Sequence, residues 1–457
     1  MQLKHINANN SWEPSSWKEF SIKQQPQWPD IEKYNFIIKK ISKMPQLVFA
    51  GEIMQLKKRL HEVEKGESFI LQGGDCAETF TNFKSDIIKD QLKILLQMAS
   101  VISYGASINI LKIGRIAGQF AKPRTSEHEI INGVKCHSYR GDAINSIEPN
   151  YEARLPNPER LMIAYNHSAA TLNLLRAFIG GGFSDLRLAK EWNLDFMQNT
   201  DHGRKYKNLA NKIIDSINFI EAIENKSNIN SQFKKFNEFY ISHEGLILDY
   251  EQALTRYDKG TSSWYACSSH MLWIGNRTRG IDQAHAEFLS GVENPIGIKI
   301  GPDIDIDETI GLIKKLNPIN EHGKIILITR MGAEKINNQL PRMIDAMNIN
   351  NLNIIWVCDP MHGNTFTTKD GIKTREFNTI LKEIRSFFKI HYRLGTIPGG
   401  IHFELTGENV TECLGGAKNI STQELKQRYE TACDPRMNNE QSLEMAFLIN
   451  DLITNKI

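Results

Sequence analysis

The sequence has no CxxC pair and no closely spaced cysteine set. Its six cysteines, Cys76, Cys136, Cys267, Cys358, Cys413 and Cys433, are scattered over 457 residues. That excludes a disulfide-rich secreted scaffold and a zinc-finger module. No apolar run approaches the roughly 20 residues that span a bilayer, and residues 1–10 lack the apolar core of a signal peptide. Neither sign of charge is in excess: 55 Lys and Arg face 53 Asp and Glu, for a net charge of +2. A general nucleic-acid binder would carry a strong basic excess. The phosphate loops GxGxxG and GxxxxGKS/T are missing as well. These absences predict a cytoplasmic protein with no nucleic-acid or membrane partner. A small anionic substrate stays open, because it needs only a local cluster of Arg and Lys.

What is present is a recurring short β-type run that ends in glycine or a polar residue. Eight stand out: Ser68–Leu71, Ser107–Ile113, Phe239–Leu248, His270–Ile274, Ile296–Ile300, Lys324–Thr329, Ile354–Val357 and Gly400–Leu405. Segments of helical periodicity separate several of them, at Ser85–Ser100, Pro158–Gly180, Asp282–Ser290 and Thr374–Phe388. Strands alternating with helices imply a parallel sheet, and eight such units predict a (β/α)8 TIM barrel. The competing doubly wound open sheet would usually show a Gly-rich phosphate loop after an early strand. The barrel occupies residues 67–457. Residues 1–66 form an N-terminal extension of interface or regulatory character, with Trp12, Trp17 and Trp28 and an amphipathic helix around Met54–Val63. A polar, helical insert is expected at about 188–235, too long for an ordinary barrel connection.

Chemistry concentrates where the strands end. Cys76 follows the first in the run Gln72-Gly73-Gly74-Asp75-Cys76-Ala77-Glu78, and Arg115 follows the second. Glu244 lies in the third, Asn276 and Arg277 follow the fourth, and Lys299 is in the fifth. Arg330 ends the sixth, His362 follows the seventh, Glu404 lies in the eighth, and Asp434 comes beyond it. Taken singly, each has an ordinary explanation as a buried thiol or a surface ion pair. Their recurrence at the same end of successive strands argues for one site at the barrel mouth. Cys76, His362, Glu404 and Asp434 offer one sulfur, one nitrogen and two carboxylates, a set suited to a divalent transition metal. His402 and Glu404 share a strand face, so either could ligate. Arg115, Lys122, Arg124, Arg277, Lys299 and Arg330 form a cationic set that fits phosphate and carboxylate groups, enough for two phosphate-bearing substrates.

The motifs carrying these residues resemble a known family. They are QGGDCAETF (72–80), KIGRIAGQFAKPRT (112–125), YRGDAIN (139–145), SSHMLWIGNRTRG (268–280), GIKIGP (297–302), ITRMGAEKI (328–336), WVCDPMHGNT (356–365), GGIHFELTGENVTECLGG (399–416) and YETACDPRMNNEQSLE (429–444). In this order they resemble the type II, plant-like 3-deoxy-D-arabino-heptulosonate 7-phosphate (DAHP) synthases over nearly the whole chain.

The resemblance implies condensation of phosphoenolpyruvate with erythrose 4-phosphate and water to give DAHP and phosphate, the first step of the shikimate route. It implies Mn²⁺ or Co²⁺ held by Cys76, His362, Glu404 and Asp434. It assigns phosphoenolpyruvate to Arg115, Arg277, Lys299, Arg330 and main-chain groups around Asn276. Lys122 would bridge the two substrates, with Arg124 and Thr125 on the erythrose phosphate; Lys122 and Lys299 are the catalytic candidates. It further implies a homo-oligomer (dimer or tetramer), aromatic amino acid effectors and a chorismate mutase partner. One position departs from the pattern: the family has Glu where this chain has Asn276, and a neutral amide cannot take a proton. Two rival readings are a Schiff-base aldolase acting through Lys299 and a catalytically altered relative with a specialised or regulatory role.

Overall fold

The computed structural model describes residues 12–131, 133–192, 200–223 and 237–455. Parts of the expected insert, 193–199 and 224–235, therefore lie outside the described residues, as do residues 1–11. Eight parallel strands close into a barrel. In chain order they are β1 (Ser68–Gly74), β2 (Asn109–Arg115), β3 (Phe239–Glu244), β4 (Met271–Ile274), β5 (Ile296–Ile300), β6 (Ile325–Thr329), β7 (Ile355–Cys358) and β8 (Pro398–Glu404). The barrel is the one expected, and each predicted run overlaps a strand. Most boundaries shift by one to four residues, three of them for a visible reason. The segment before β2 is helical to Ala106, with left-handed Ser107 at its end, so the strand starts at Asn109. β3 stops at Glu244 because a short helix, Leu248–Ala253, follows it. β4 begins at Met271, since the His270 ring turns back to accept the Ile241 N–H at 3.0 Å.

A helix follows every strand, beginning with Ser85–Ala106 after β1 and ending with Asn439–Asn455 after β8. The insert contributes the helix Asp201–Ile223 among its described residues. The loop after β2 carries a hairpin, His128–Ile131 paired with Val134–His137. None of the described helices is long and apolar enough to cross a membrane.

Strand side chains alternate in and out with period two, so each strand stacks its inward residues in layers. One layer is apolar: Ile70, Leu111, Tyr240, Met271, Ile326 and Ile355 form a continuous core. Two residues on, the layer is mixed, with Gln72 beside His402 and with Ile113, Trp273, Ile328 and Val357. Two further on it is polar: Gly74 pairs with both Arg115 and Glu404, and Glu244 ends β3. Moving toward the strand C-termini thus converts the core into a site.

The opposite end is sealed by the helix Ala50–Glu64, the floor helix, whose Leu56, Leu60 and Val63 join the interior core. It replaces water with roughly 2 kcal/mol of burial per leucine. The residues expected to form an extension therefore also close the barrel.

Candidate active site

Gly74 lets the site form. A Cβ there would lie 2.5 Å from the Arg115 carbonyl oxygen, so any other residue would push β1 away from β2 just where Arg115 and Glu404 converge. Past it the chain turns and buries the Cys76 thiol. The loop after β2 is fixed by Glu78, whose carboxylate accepts the Ala117, Gly118 and Gln119 N–H groups at 2.8, 2.8 and 2.7 Å. Those three bonds offset the strain of Ala117, a non-glycine residue at φ 62°.

Three of the four predicted donors meet, and the fourth, His362, touches the group through Glu404. Ligand atoms of Cys76, Glu404 and Asp434 lie within 4.8 Å of one another. The Asp434 N–H donates to Cys76 Sγ at 3.2 Å. His362 approaches from the Glu404 side, with Nε2 3.1 Å from Glu404 Oε1. Its Nδ1 faces Asp359 Oδ2 at 2.7 Å, which presents Nε2 as the free donor, the arrangement that orients a metal-binding imidazole. Burial, Cys433 and Glu404 push the Cys76 thiol up. Burial and Glu404 also raise the Asp434 carboxyl, yet Lys122 and Arg375 overcome them and hold it low. One soft sulfur, one imidazole and two carboxylates on an enclosed point fit a divalent transition metal and not the all-oxygen shell of Ca²⁺ or Mg²⁺.

Of the two residues the strand face left open, His402 is occupied otherwise and Glu404 remains for the donor set. Its Nδ1 is 2.7 Å from Gln72 Oε1, so it donates there, and Nε2 accepts from Arg115 Nη1 at 2.8 Å and Lys299 Nζ at 3.1 Å. No lone pair is left for a metal. Burial, Lys299 and Arg115 hold this imidazole neutral, and it aims both cations upward. Lys299 also donates to Asp359 Oδ2 at 2.7 Å.

Above the donors lies a cavity of about 400 Å³, within the range of small-ligand pockets. Of the sequence-predicted site residues, Arg115, Lys122, Arg124, Thr125, Asn276, Arg277, Lys299, Arg330, His362 and Asp434 line it; Cys76 and Glu404 sit beneath. Trp273 is its apolar base, with the Arg115 guanidinium 5.4 Å and Lys299 Nζ 5.6 Å from its ring centre. Thr125 and Arg277 join two loops through a 2.7 Å bond from Arg277 Nη2 to Thr125 Oγ1. Arg124 pairs with Glu129 at 2.7 Å.

The two lysines differ. Burial works against the Lys122 cation, but Cys76, Glu404 and Asp434 overcome it and raise its pKa; Nζ lies 3.7 Å from Glu404 Oε1 and 3.9 Å from Asp434 Oδ2. Lys299 is pushed down to about 8 by burial, partly countered by Asp359 and reinforced by Arg115.

Sequence reasoning missed three contributors. Asp359, which joins Lys299 to His362, stands just past β7, so the strand-end rule already pointed to it. Arg375, fully buried, pairs with Glu404 Oε2 at 2.8 Å, and Lys373 pairs with Asp434. Both come from a hairpin, Thr365–Thr367 with Lys373–Arg375, which no strand-end pattern marks. Asn276 is exposed, its Oδ1 accepting from Arg279 Nε at 3.2 Å.

Known proteins resemble this chain over nearly its whole length. A model of the class-II DAHP synthetase family matches residues 12–450. A phospho-2-dehydro-3-deoxyheptonate aldolase of Streptomyces coelicolor is 47% identical over 450 residues, 98% of this chain and 99% of the relative. The phospho-2-dehydro-3-deoxyheptonate aldolase AroG of Mycolicibacterium smegmatis is 44% identical over 436 residues, 94% of this chain and 92% of the relative. The chain belongs to the class-II DAHP synthetase family.

Proposed function

We propose that this enzyme condenses phosphoenolpyruvate with erythrose 4-phosphate and water to give DAHP and phosphate. The observation that carries the reading is the pairing, at one barrel mouth, of a sulfur–carboxylate donor set flanked by the His362 imidazole with a cavity lined by seven Lys and Arg side chains.

Arg115, Lys299 and Arg330, with Arg277, bind the carboxylate and phosphate of phosphoenolpyruvate. His402 keeps the first two aimed at it, and Trp273 beneath them excludes water. Thr125, Arg124 and the other side of Arg277 take the phosphate of erythrose 4-phosphate, so Arg277 sits between the two substrates. Cys76, His362, Glu404 and Asp434 would hold Mn²⁺ or Co²⁺, which supplies Lewis-acid polarisation of the aldehyde. Lys122, kept charged by Glu404 and Asp434, carries a proton at Nζ beside the donor set, placed to meet the aldehyde oxygen. The phosphoenolpyruvate methylene carbon then forms the new C–C bond, water adds to the adjoining carbon, and phosphate departs toward the arginines. The exposed Asn276 side chain takes no proton in this scheme; the main chain around it serves instead.

A cytoplasmic setting suits the six free cysteines. A homo-oligomer suits the exposed Ile31, Phe36 and Phe49 of the N-terminal segment. Aromatic amino acid effectors and a chorismate mutase partner belong to the same reading through the family. The test is phosphoenolpyruvate consumption by purified protein with erythrose 4-phosphate and Mn²⁺ or Co²⁺. Turnover abolished by chelation is expected; no turnover with any divalent metal overturns the proposal. A covalent adduct on Lys299 trapped by borohydride would transfer the assignment to a Schiff-base aldolase.

A further inference from the structure

At the far end of the barrel a second group of metal-binding atoms converges. Glu64 ends the floor helix, and His61 lies one turn before it. His322 comes from the loop between the helix Ile306–Leu316 and β6. Glu64 Oε2 is 3.1 Å from His61 Nδ1 and 3.0 Å from His322 Nδ1. One ligand atom from each lies within 4.8 Å of the others. The imidazole rings are 4.5 Å apart between centres.

Ordinary hydrogen bonding accounts poorly for this arrangement. Glu64 Oε2 is approached by both imidazoles and by the Gly323 N–H at 3.2 Å, while Glu64 Oε1 is buried with no hydrogen-bond partner among the described residues. A carboxylate satisfied by protein donors alone would spread them over both oxygens. The loop bearing His322 is also held in place before any ligand arrives. Gly323 has φ +71°, and a Cβ there would lie 2.3 Å from the Lys57 carbonyl oxygen of the floor helix. Asn317 brackets Glu321 with bonds of 2.9 and 2.8 Å, and Glu321 pairs with Lys57 at 2.9 Å. The C-terminal end of the helix adds a favourable dipole for a cation.

We propose that His61, Glu64 and His322 form a binding site for a divalent transition metal of the zinc class, separate from the mouth, that pins the floor helix to the loop before β6. Tetrahedral coordination with bonds of about 2.0–2.1 Å puts neighbouring ligand atoms roughly 3.3 Å apart, a few tenths from the two carboxylate–imidazole separations seen. Two imidazoles and one carboxylate select zinc, nickel or cobalt over magnesium and calcium. His322 is more than half exposed, so water completes the shell.

The experiment is Zn²⁺ titration of the full chain after chelator treatment, by calorimetry and by metal analysis after desalting. Wild type is compared with His322→Ala, an exposed substitution that leaves the core intact, and with Glu64→Gln. Wild type is expected to bind one equivalent more than either variant. Zn²⁺ raises its melting temperature by roughly 3 °C or more, an increase reduced in His322→Ala, while turnover at saturating Mn²⁺ is the same in both. Equal stoichiometry and equal affinity in wild type and His322→Ala overturn the proposal, whatever the folding of the Glu64 variant.

Discussion

Mouth and floor of this barrel are both crowded with charge, and they neutralise it to different degrees. At the floor, cations meet carboxylates of the protein. Lys57 lies between Glu293 and Glu321, at 2.8 and 2.9 Å, and Arg59 pairs with Glu62 and Glu238. At the mouth the pairing is partial: Arg115, Lys122 and Lys299 meet carboxylates, but Arg330 Nε is buried without a hydrogen-bond partner among the described residues, and Arg277 donates to the neutral Thr125 hydroxyl. Charge neutralised by the chain stabilises the fold; charge left for an outside anion lowers stability and creates affinity. The two ends should therefore separate under mutation.

The largest separation is expected from Cys76→Ala. Turnover with Mn²⁺ should fall about 10³-fold, as for loss of a principal electrostatic element, with the melting temperature nearly unchanged. A loss below tenfold would remove Cys76 from the metal set. Leu60→Ala should invert the pattern, costing about 2–5 kcal/mol in denaturant unfolding while kcat stays at wild-type level. If kcat falls in step with stability, the ends are coupled and the contrast fails.

A pH profile sharpens the comparison within the mouth. The Lys299 cation, with its pKa pushed down to about 8, is lost as pH rises through that value. kcat/KM for phosphoenolpyruvate should fall along an alkaline limb near pH 8, and Lys299→Arg, charged throughout, should move that limb upward. An unmoved limb assigns it to another group. The smallest effect is expected from Asn276→Glu: an exposed side chain outside the proton path should change kcat by less than about threefold. A tenfold gain would show that the missing carboxylate matters after all.

Legibility followed the same division. Strands and mouth residues were readable because period-two alternation turns a strand-end residue into an inward-facing one. Arg115, Lys299 and Glu404 all lie on that pattern. Half of the barrel helices were not marked in advance. Ile306–Leu316 carries Gly311, Ile336–Ile349 contains Pro341, and Leu248–Ala253 is too short for periodicity; packing on the barrel decides them. The hairpin that delivers Lys373 and Arg375 left no trace because its strands have three residues each. The floor helix was visible as amphipathic, but its destination was not: nothing local says that an apolar stripe will cap a barrel.

That destination has a consequence for how the chain acquires its structure. The floor helix precedes every barrel strand in sequence, yet its seat includes the last of them: a Cβ on Gly399 at the start of β8 would touch Val63 at 3.2 Å. During synthesis the helix emerges first and must wait through more than three hundred residues before β8 completes its seat. Until then Leu56, Leu60 and Val63 have no finished partner surface, so docking of this helix is a late, long-range step in folding.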